Sequence, residues 1–211
     1  MKLDESAVLW RESPNPEAPL VVLLHGIGSH EGDLFGLVPE LPENVAVASL
    51  RAPLPWPNGG HAWFELGTTP VGGFTYDADQ VQAAGQAVID WLNYHAAQYR
   101  RVALVGFSQG AATALQVATL APDRITCLAM LSGLLPFEDP ATAHGPRQLP
   151  ALIAIGDFDE VIGDRAMALE TWAEENLDAA ISHYPIGHWV SAEELADLRR
   201  FLDLHLNEQP V

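Results

Sequence analysis

The stretch VALVGFSQGAATALQVATL, Val102 to Leu120, changes period in its middle. Val102 to Phe107 is a continuous apolar run, the pattern of a strand covered on both faces. From Gln109 onward the chain is rich in Ala and Leu and runs to a stop at Pro122, which reads as a helix of good formers. Between them stands Gly106-Phe107-Ser108-Gln109-Gly110, a G-x-S-x-G pattern. A serine at a tight strand-to-helix turn has its Oγ thrust outward, and flanking glycines relieve the crowding around it. The helix N-terminus behind it favours a developing negative charge.

Outward from this unit the same alternation recurs. Leu20–Leu24 (LVVLL), Val45–Leu50, Thr126–Leu131 and Ala151–Ile155 are further short apolar runs, and Ile181–Tyr184 reads as the last strand. Helical spacing appears in Asp77 to about Ala97, through Val81, Ala84, Val88 and Trp91/Leu92, and again in Asp164–Glu175 and Ala192–Leu206. Ser191 and Glu194 form a capping-box pair before the last helix. Alternating β and α elements predict an α/β fold, a three-layer sandwich around a mostly parallel sheet. The chain of 211 residues suits one domain over its whole length, with no room for a cap domain. The Pro/Gly-rich stretch Arg51–Gly73 is long for a plain connection, and with Phe74 just beyond it carries Trp56, Trp63 and Phe64. Loops of that kind tend to be functional. Trp63, Phe64, Phe74 and the Leu54–Trp56 turn are expected to wall a substrate groove.

Composition narrows the partners. The formal charge is −18, and Lys2 is the only lysine. Such a surface repels nucleic acid and anionic membrane, leaving a small molecule as the expected partner. A single cysteine, Cys127, lies in an apolar run and is expected to be a buried thiol; it excludes an intrachain disulfide. No secretory leader pattern opens the chain and no stretch approaches the roughly 20 apolar residues of a membrane span, so a cytoplasmic protein is expected.

A serine hydroxyl needs a base to become a nucleophile. In a strand–elbow–helix setting the order along the chain is nucleophile, acid, histidine. That disfavours histidines before Ser108 and His144, which precedes the strand expected to carry the acid. His183 falls within the last strand and His205 near the end of the last helix. His188 follows Pro185-Ile186-Gly187, a turn able to aim an imidazole back at Ser108. The acid should follow Ala151–Ile155, where Gly156-Asp157-Phe158-Asp159-Glu160 offers candidates. Asp159 is favoured, with Asp157 in reserve, to orient His188 and stabilise its imidazolium. An oxyanion would be held by the backbone N–H of Gln109 and one from Leu24-His25-Gly26-Ile27-Gly28, Ile27 before Gly26. His25 is expected to brace that loop. No histidine–carboxylate spacing calls for a metal, and no cofactor is expected.

The segments LHGIG (24–28), RAPLP (51–55), GGHAWFEL (59–66), GFSQGAA (106–112), LSG (131–133), GDFDEVI (156–162) and GHWV (187–190) together resemble the phospholipase/carboxylesterase family of α/β hydrolases, which includes bacterial carboxylesterases and acyl-protein thioesterases. The resemblance implies an α/β-hydrolase fold and a cofactor-free serine esterase. It assigns Ser108, Asp159 and His188 to a triad and the Ile27 and Gln109 amides to the oxyanion hole. Ile27 stands where the family often has leucine, and Glu160 and Gly163 where it often has prolines. The activity implied is hydrolysis of carboxylic esters or thioesters; with no cap domain, an open groove is expected to favour short to medium acyl groups. A lactone or dienelactone hydrolase is the alternative within the enzymes, although those usually carry cysteine as nucleophile. A binding module on the same fold is the alternative outside them. Such families often form dimers, so a homodimer is a further possibility.

Overall fold

The computed structural model describes residues 1–68, 74–137 and 139–207. Its centre is a seven-stranded sheet built from β1 (Leu9–Arg11), β2 (Leu20–Leu24), β3 (Ala46–Leu50), β8 (Val102–Phe107), β9 (Cys127–Leu131), β10 (Pro150–Gly156) and β11 (Asp178–Tyr184). The order across it is β1-β3-β2-β8-β9-β10-β11. Only β1 is antiparallel to its neighbour; every other pairing is parallel. Two-residue strands form two small antiparallel pairs before the second major helix: β4 (Leu54–Pro55) with β5 (His61–Ala62), and β6 (Gly67–Thr68) with β7 (Phe74–Thr75). The helices are α1 (Glu31–Phe35), α2 (Ala78–His95), α3 (Gln109–Leu120), α4 (Arg165–Asn176) and α5 (Ala192–Leu206).

The continuous apolar runs are explained by cores on both faces of the sheet. Leu20, Val22 and Leu24 of β2 point into one, with Leu104 of β8, Met130 of β9 and Ile153 of β10. Val88 and Leu92 of α2, Leu115 of α3 and Trp172 of α4 close that layer. Val21 and Leu23 point the other way, with Val105, Ala129 and Leu152, and are covered by Leu34 of α1 and Leu198 and Leu202 of α5. The side-chain period of two divides each run between the two layers. Cys127 is buried, and desolvation raises its thiol to about 12, which keeps it protonated and unreactive.

Element ends follow local chemistry. Asp77 lies outside α2 as its cap, accepting hydrogen bonds from the N–H groups of Asp79 and Gln80. Ser191 and Glu194 form the expected capping box of α5. Strand β1, three half-buried residues, is not signalled by any periodicity. Among the described residues no cap domain covers the sheet's C-terminal edge. No helix of the described residues is long and apolar enough to cross a membrane.

Candidate functional site

The crossovers bring the C-terminal ends of β2, β8, β10 and β11 to one edge of the sheet, where open α/β sheets hold their ligands. Ser108 sits between β8 and α3 with φ 54° and ψ −118°, a conformation that costs a non-glycine residue energy. Its backbone is held on both sides. Its N–H donates to the Leu131 carbonyl at 2.9 Å, and its own carbonyl accepts from Ala111 at 3.0 Å. The flanking glycines serve close packing. A Cβ on Gly106 would lie 2.4 Å from the Gly110 carbonyl oxygen, and one on Gly110 would lie 2.0 Å from the Leu24 carbonyl oxygen. The G-x-S-x-G spacing therefore lets the first turn of α3 rest directly on the ends of β2 and β8.

The histidine and the acid arrive on two loops joined to each other. The N–H groups of Asp157 and Phe158 donate to the carbonyls of Tyr184 and Ile186, at 2.8 and 2.9 Å. His188 Nε2 lies 3.0 Å from Ser108 Oγ, and His188 Nδ1 lies 2.7 Å from Asp159 Oδ2. The other carboxylate oxygen of Asp159 accepts from the N–H groups of Val161 and Ile162, both at 3.0 Å. Burial pushes the Asp159 carboxyl up. The Ile162 amide, His188 and the Ser132 hydroxyl outweigh it and hold the group below the usual carboxylate range. The ring of Phe107 backs His188 at 4.8 Å between centroids. Asp157, the reserve acid, is turned away: it pairs with His183 at 3.0 Å on the outer edge of the sheet.

The LHGIG loop lies opposite. The backbone N–H groups of Ile27 and Gln109 have no acceptor among the described residues, whereas the next amide, Gly28, donates to the His61 carbonyl at 2.8 Å. His25 is fully buried and braces the loop. Its Nδ1 bonds the Gly26 carbonyl at 2.7 Å, and its Nε2 accepts from the Ala52 amide at 3.1 Å. Among the described residues no three of His, Cys, Asp and Glu are grouped to hold a metal ion. A serine hydroxyl, an imidazole turned on it by a carboxylate, and two unengaged amides can together transfer a proton and hold a negative oxygen.

The expected groove is corrected at two of its walls. Trp63 and Phe64 are 0% and 1% exposed, so neither can touch a ligand. They are packed beneath the site because polar groups anchor their backbone and the indole. Trp63 Nε1 donates to the His25 carbonyl at 2.8 Å. The Gln109 side chain, itself buried, accepts from the Trp63 N–H and donates to the Phe64 carbonyl, both at 2.8 Å. Phe74 is half-buried with the Arg165 guanidinium 4.3 Å above its ring. Leu54 and Trp56 do line a cavity, of about 480 Å³, together with Glu65 and Leu66. The remainder of the long loop, 69–73, lies outside the described residues.

Two supporting residues escaped the sequence reading: Ser132, which holds the acid at φ 46°, and the Gln109 side chain. Only the LSG triplet hinted at the first, and nothing local signals a glutamine that reaches 46 positions back along the chain. Gln109→Leu keeps the volume and leaves the Trp63 N–H and Phe64 carbonyl buried without partners. An unfolding free energy lower by about 2–4 kcal/mol in urea is expected; a midpoint equal to that of the unaltered protein would rule this clamp out as a stabilising contact.

Glu194 supports the other side of the site. It is buried at the start of α5, just after the His188 loop, where its carboxylate accepts from the Ser191 N–H at 3.2 Å. Desolvation raises it from 4.5 to about 7. Because the folded value is the higher, its stabilising contribution is complete below about 4.5 and is lost as pH rises through about 7. Glu194→Gln retains the amide-accepting oxygen and removes the charge. The variant should gain on the unaltered protein in urea between pH 5 and pH 8; parallel stability curves would contradict this.

The family model described as Phospholipase/Carboxylesterase matches residues 7–206. The chain belongs to the phospholipase/carboxylesterase family. Solved relatives of the same fold include a carboxylesterase of Bacillus cereus, 18% identical, with a TM-score of 0.82 over 94% of this chain and 93% of that one. A carboxylesterase of Mesorhizobium loti is 23% identical, with a TM-score of 0.77 over 90% of both chains. Esterase PE8 is 26% identical, with a TM-score of 0.80 over 98% of this chain and all of the other. Membership of the phospholipase/carboxylesterase family makes the chain a carboxylesterase-like hydrolase with the α/β-hydrolase fold.

Proposed function

We propose that the protein is a serine hydrolase, acting as one domain, that cleaves carboxylic esters or thioesters of short to medium acyl groups through an acyl-enzyme. The observation that carries this reading is the hydrogen-bonded line Ser108 Oγ, His188, Asp159, with the LHGIG loop packed against Ser108 and the Ile27 and Gln109 amides without an acceptor among the described residues. Ser108 Oγ attacks the carbonyl carbon while His188 Nε2 takes its proton. The carbonyl oxygen becomes an oxyanion between the two amides. His188 then gives the proton to the departing alcohol or thiol, leaving an ester on Ser108. Water repeats the sequence in reverse roles, releasing the acid and restoring the serine. Asp159 stays ionised and steadies the imidazolium.

The Leu54–Trp56 cavity is the proposed acyl groove. The edge of Trp56 lies 3.3 Å from where a Cβ on Gly28 would be, one residue beyond the Ile27 amide. Each methylene buried there contributes at most about 0.8 kcal/mol until the groove ends. A cytoplasmic setting is part of the same proposal. A fluorophosphonate is expected to form a 1:1 adduct at Ser108, absent in Ser108→Ala. Adduct formation elsewhere, or none, would overturn the mechanism. Methyl esters of graded acyl length then report the chain preference.

A further inference from the structure

A second cavity, of about 330 Å³, lies between α1 and the loop leading to α5, with His188 in its lining. Its walls include Asp33, Leu34 and Leu37 from the α1 region, Phe107 from the end of β8, and His188 with Trp189. The α1 wall is fixed rather than loose. Glu31 makes a two-pronged ion pair with Arg51, which holds its carboxyl down at about 2, and its carbonyl accepts from Ser49 Oγ at 2.7 Å. Among the described residues its lining carries one carboxylate, the exposed one of Asp33, which accepts from the Ser29 hydroxyl at 2.6 Å and sits with Leu34, Leu37, Phe107 and Trp189. Among the described residues no lysine or arginine lines it. The indole of Trp189 is 58% exposed.

We propose that this pocket receives the leaving alcohol or thiol, and that Asp33 and Trp189 tune it toward leaving groups carrying a positive charge. The inference rests on the serine-hydrolase reading and adds to it the place and charge of the departing half. The placement follows from the tetrahedral carbon. Its oxyanion must point to the Ile27 and Gln109 amides. The departing atom must lie near His188 Nε2 to receive the proton, and the acyl chain takes the direction that remains. The cavity of which His188 is itself a wall therefore holds the departing group. A carboxylate beside an accessible indole is a setting that attracts a quaternary ammonium and repels an anion. The charge of −18 over the whole chain adds to the same preference.

Acetylcholine and 3,3-dimethylbutyl acetate share an acyl group and a shape and differ by one charge. The ratio of their kcat/KM values should exceed one and should fall as ionic strength rises. Asp33→Asn keeps an oxygen for the Ser29 hydroxyl and removes the charge; it should lower the ratio about three- to five-fold. Asp33→Lys should lower it further. Leu37→Phe narrows the pocket, so it should penalise 3,3-dimethylbutyl acetate relative to methyl acetate and leave the ranking of methyl acetate against methyl hexanoate as it was. A ratio unmoved by both Asp33 substitutions overturns the charge preference. A Leu37→Phe effect on acyl length and not on the alcohol assigns the pocket to the acyl half and overturns the placement. Either failure with Ser108 still labelled by a fluorophosphonate leaves the hydrolase reading standing. Loss of the label together with all ester cleavage would remove that reading, and this inference with it.

Discussion

Ser108→Ala and His188→Ala are each expected to lower kcat by about 10⁴–10⁶, the largest effects any single substitution in this protein should produce. Without Oγ there is no acyl-enzyme. Without the imidazole the hydroxyl 3.0 Å away keeps its proton. The double variant should be scarcely worse than either single one, because the two groups act as a unit. Asp159→Asn should cost somewhat less, since serine and histidine remain in place while the imidazole loses its fixed orientation and the carboxylate that steadies its charge. The neighbouring Asp157→Asn is the control: that carboxylate faces His183 on the sheet edge, and kcat should stay within about two-fold. Steady-state hydrolysis of one activated ester measures all five proteins. A crippled Asp157→Asn with a nearly normal Asp159→Asn would reverse the choice of acid, and additive losses at positions 108 and 188 would show that they do not work together.

Gly110→Ala is expected to do the greatest damage to the fold for the smallest chemical change. The added methyl carbon would stand 2.0 Å from the Leu24 carbonyl oxygen and 2.6 Å from that of His25, both backbone atoms that no side-chain rotation can move aside. The first turn of α3 must back away from β2. Overpacking of this kind costs about 3 kcal/mol, which for a chain of this size lowers Tm by about 6–12 °C. Activity should fall at least about 100-fold even in molecules that remain folded, because Ser108 and the Gln109 amide ride on the turn that is displaced. Calorimetry and ester hydrolysis on the same preparation separate the two losses. A normal Tm with normal kcat would mean that the helix start tolerates a side chain and that close packing is not why a glycine stands there.

The β8–α3 unit was legible to the residue, because its strand is apolar throughout and its helix begins at the turn that presents Ser108. That Ser108, Asp159 and His188 come to the same sheet edge was legible for a related reason: each follows a strand whose end is marked by a glycine or a turn. What could not be read depends on partners distant in the chain. Trp63 and Phe64 lie in a stretch with no periodicity, so nothing local says whether an aromatic ring there faces solvent or core. The groups that bury them are the carbonyl of His25 and the amide of Gln109. Asp157 and Asp159 look alike in sequence; their separation depends on which face of the β10 end meets the His188 loop and which meets Glu170 and His183. Strand β1 was missed because three residues are too few to show an alternation.

The parallel pairing also has a consequence in time. The elbow around Ser108 needs β2, β8, α3 and the end of β9, whose Leu131 carbonyl accepts from the Ser108 N–H, and all of these lie in the first 131 residues. The histidine follows β11, the outermost strand, whose partner is β10 alone. On the proposed mechanism, a chain emerging from a ribosome therefore carries Ser108 well before His188, the base that would arm it, has been made. On the proposed mechanism the hydroxyl stays unarmed in the partly made protein until β11 docks on β10 and brings the His188 loop to it.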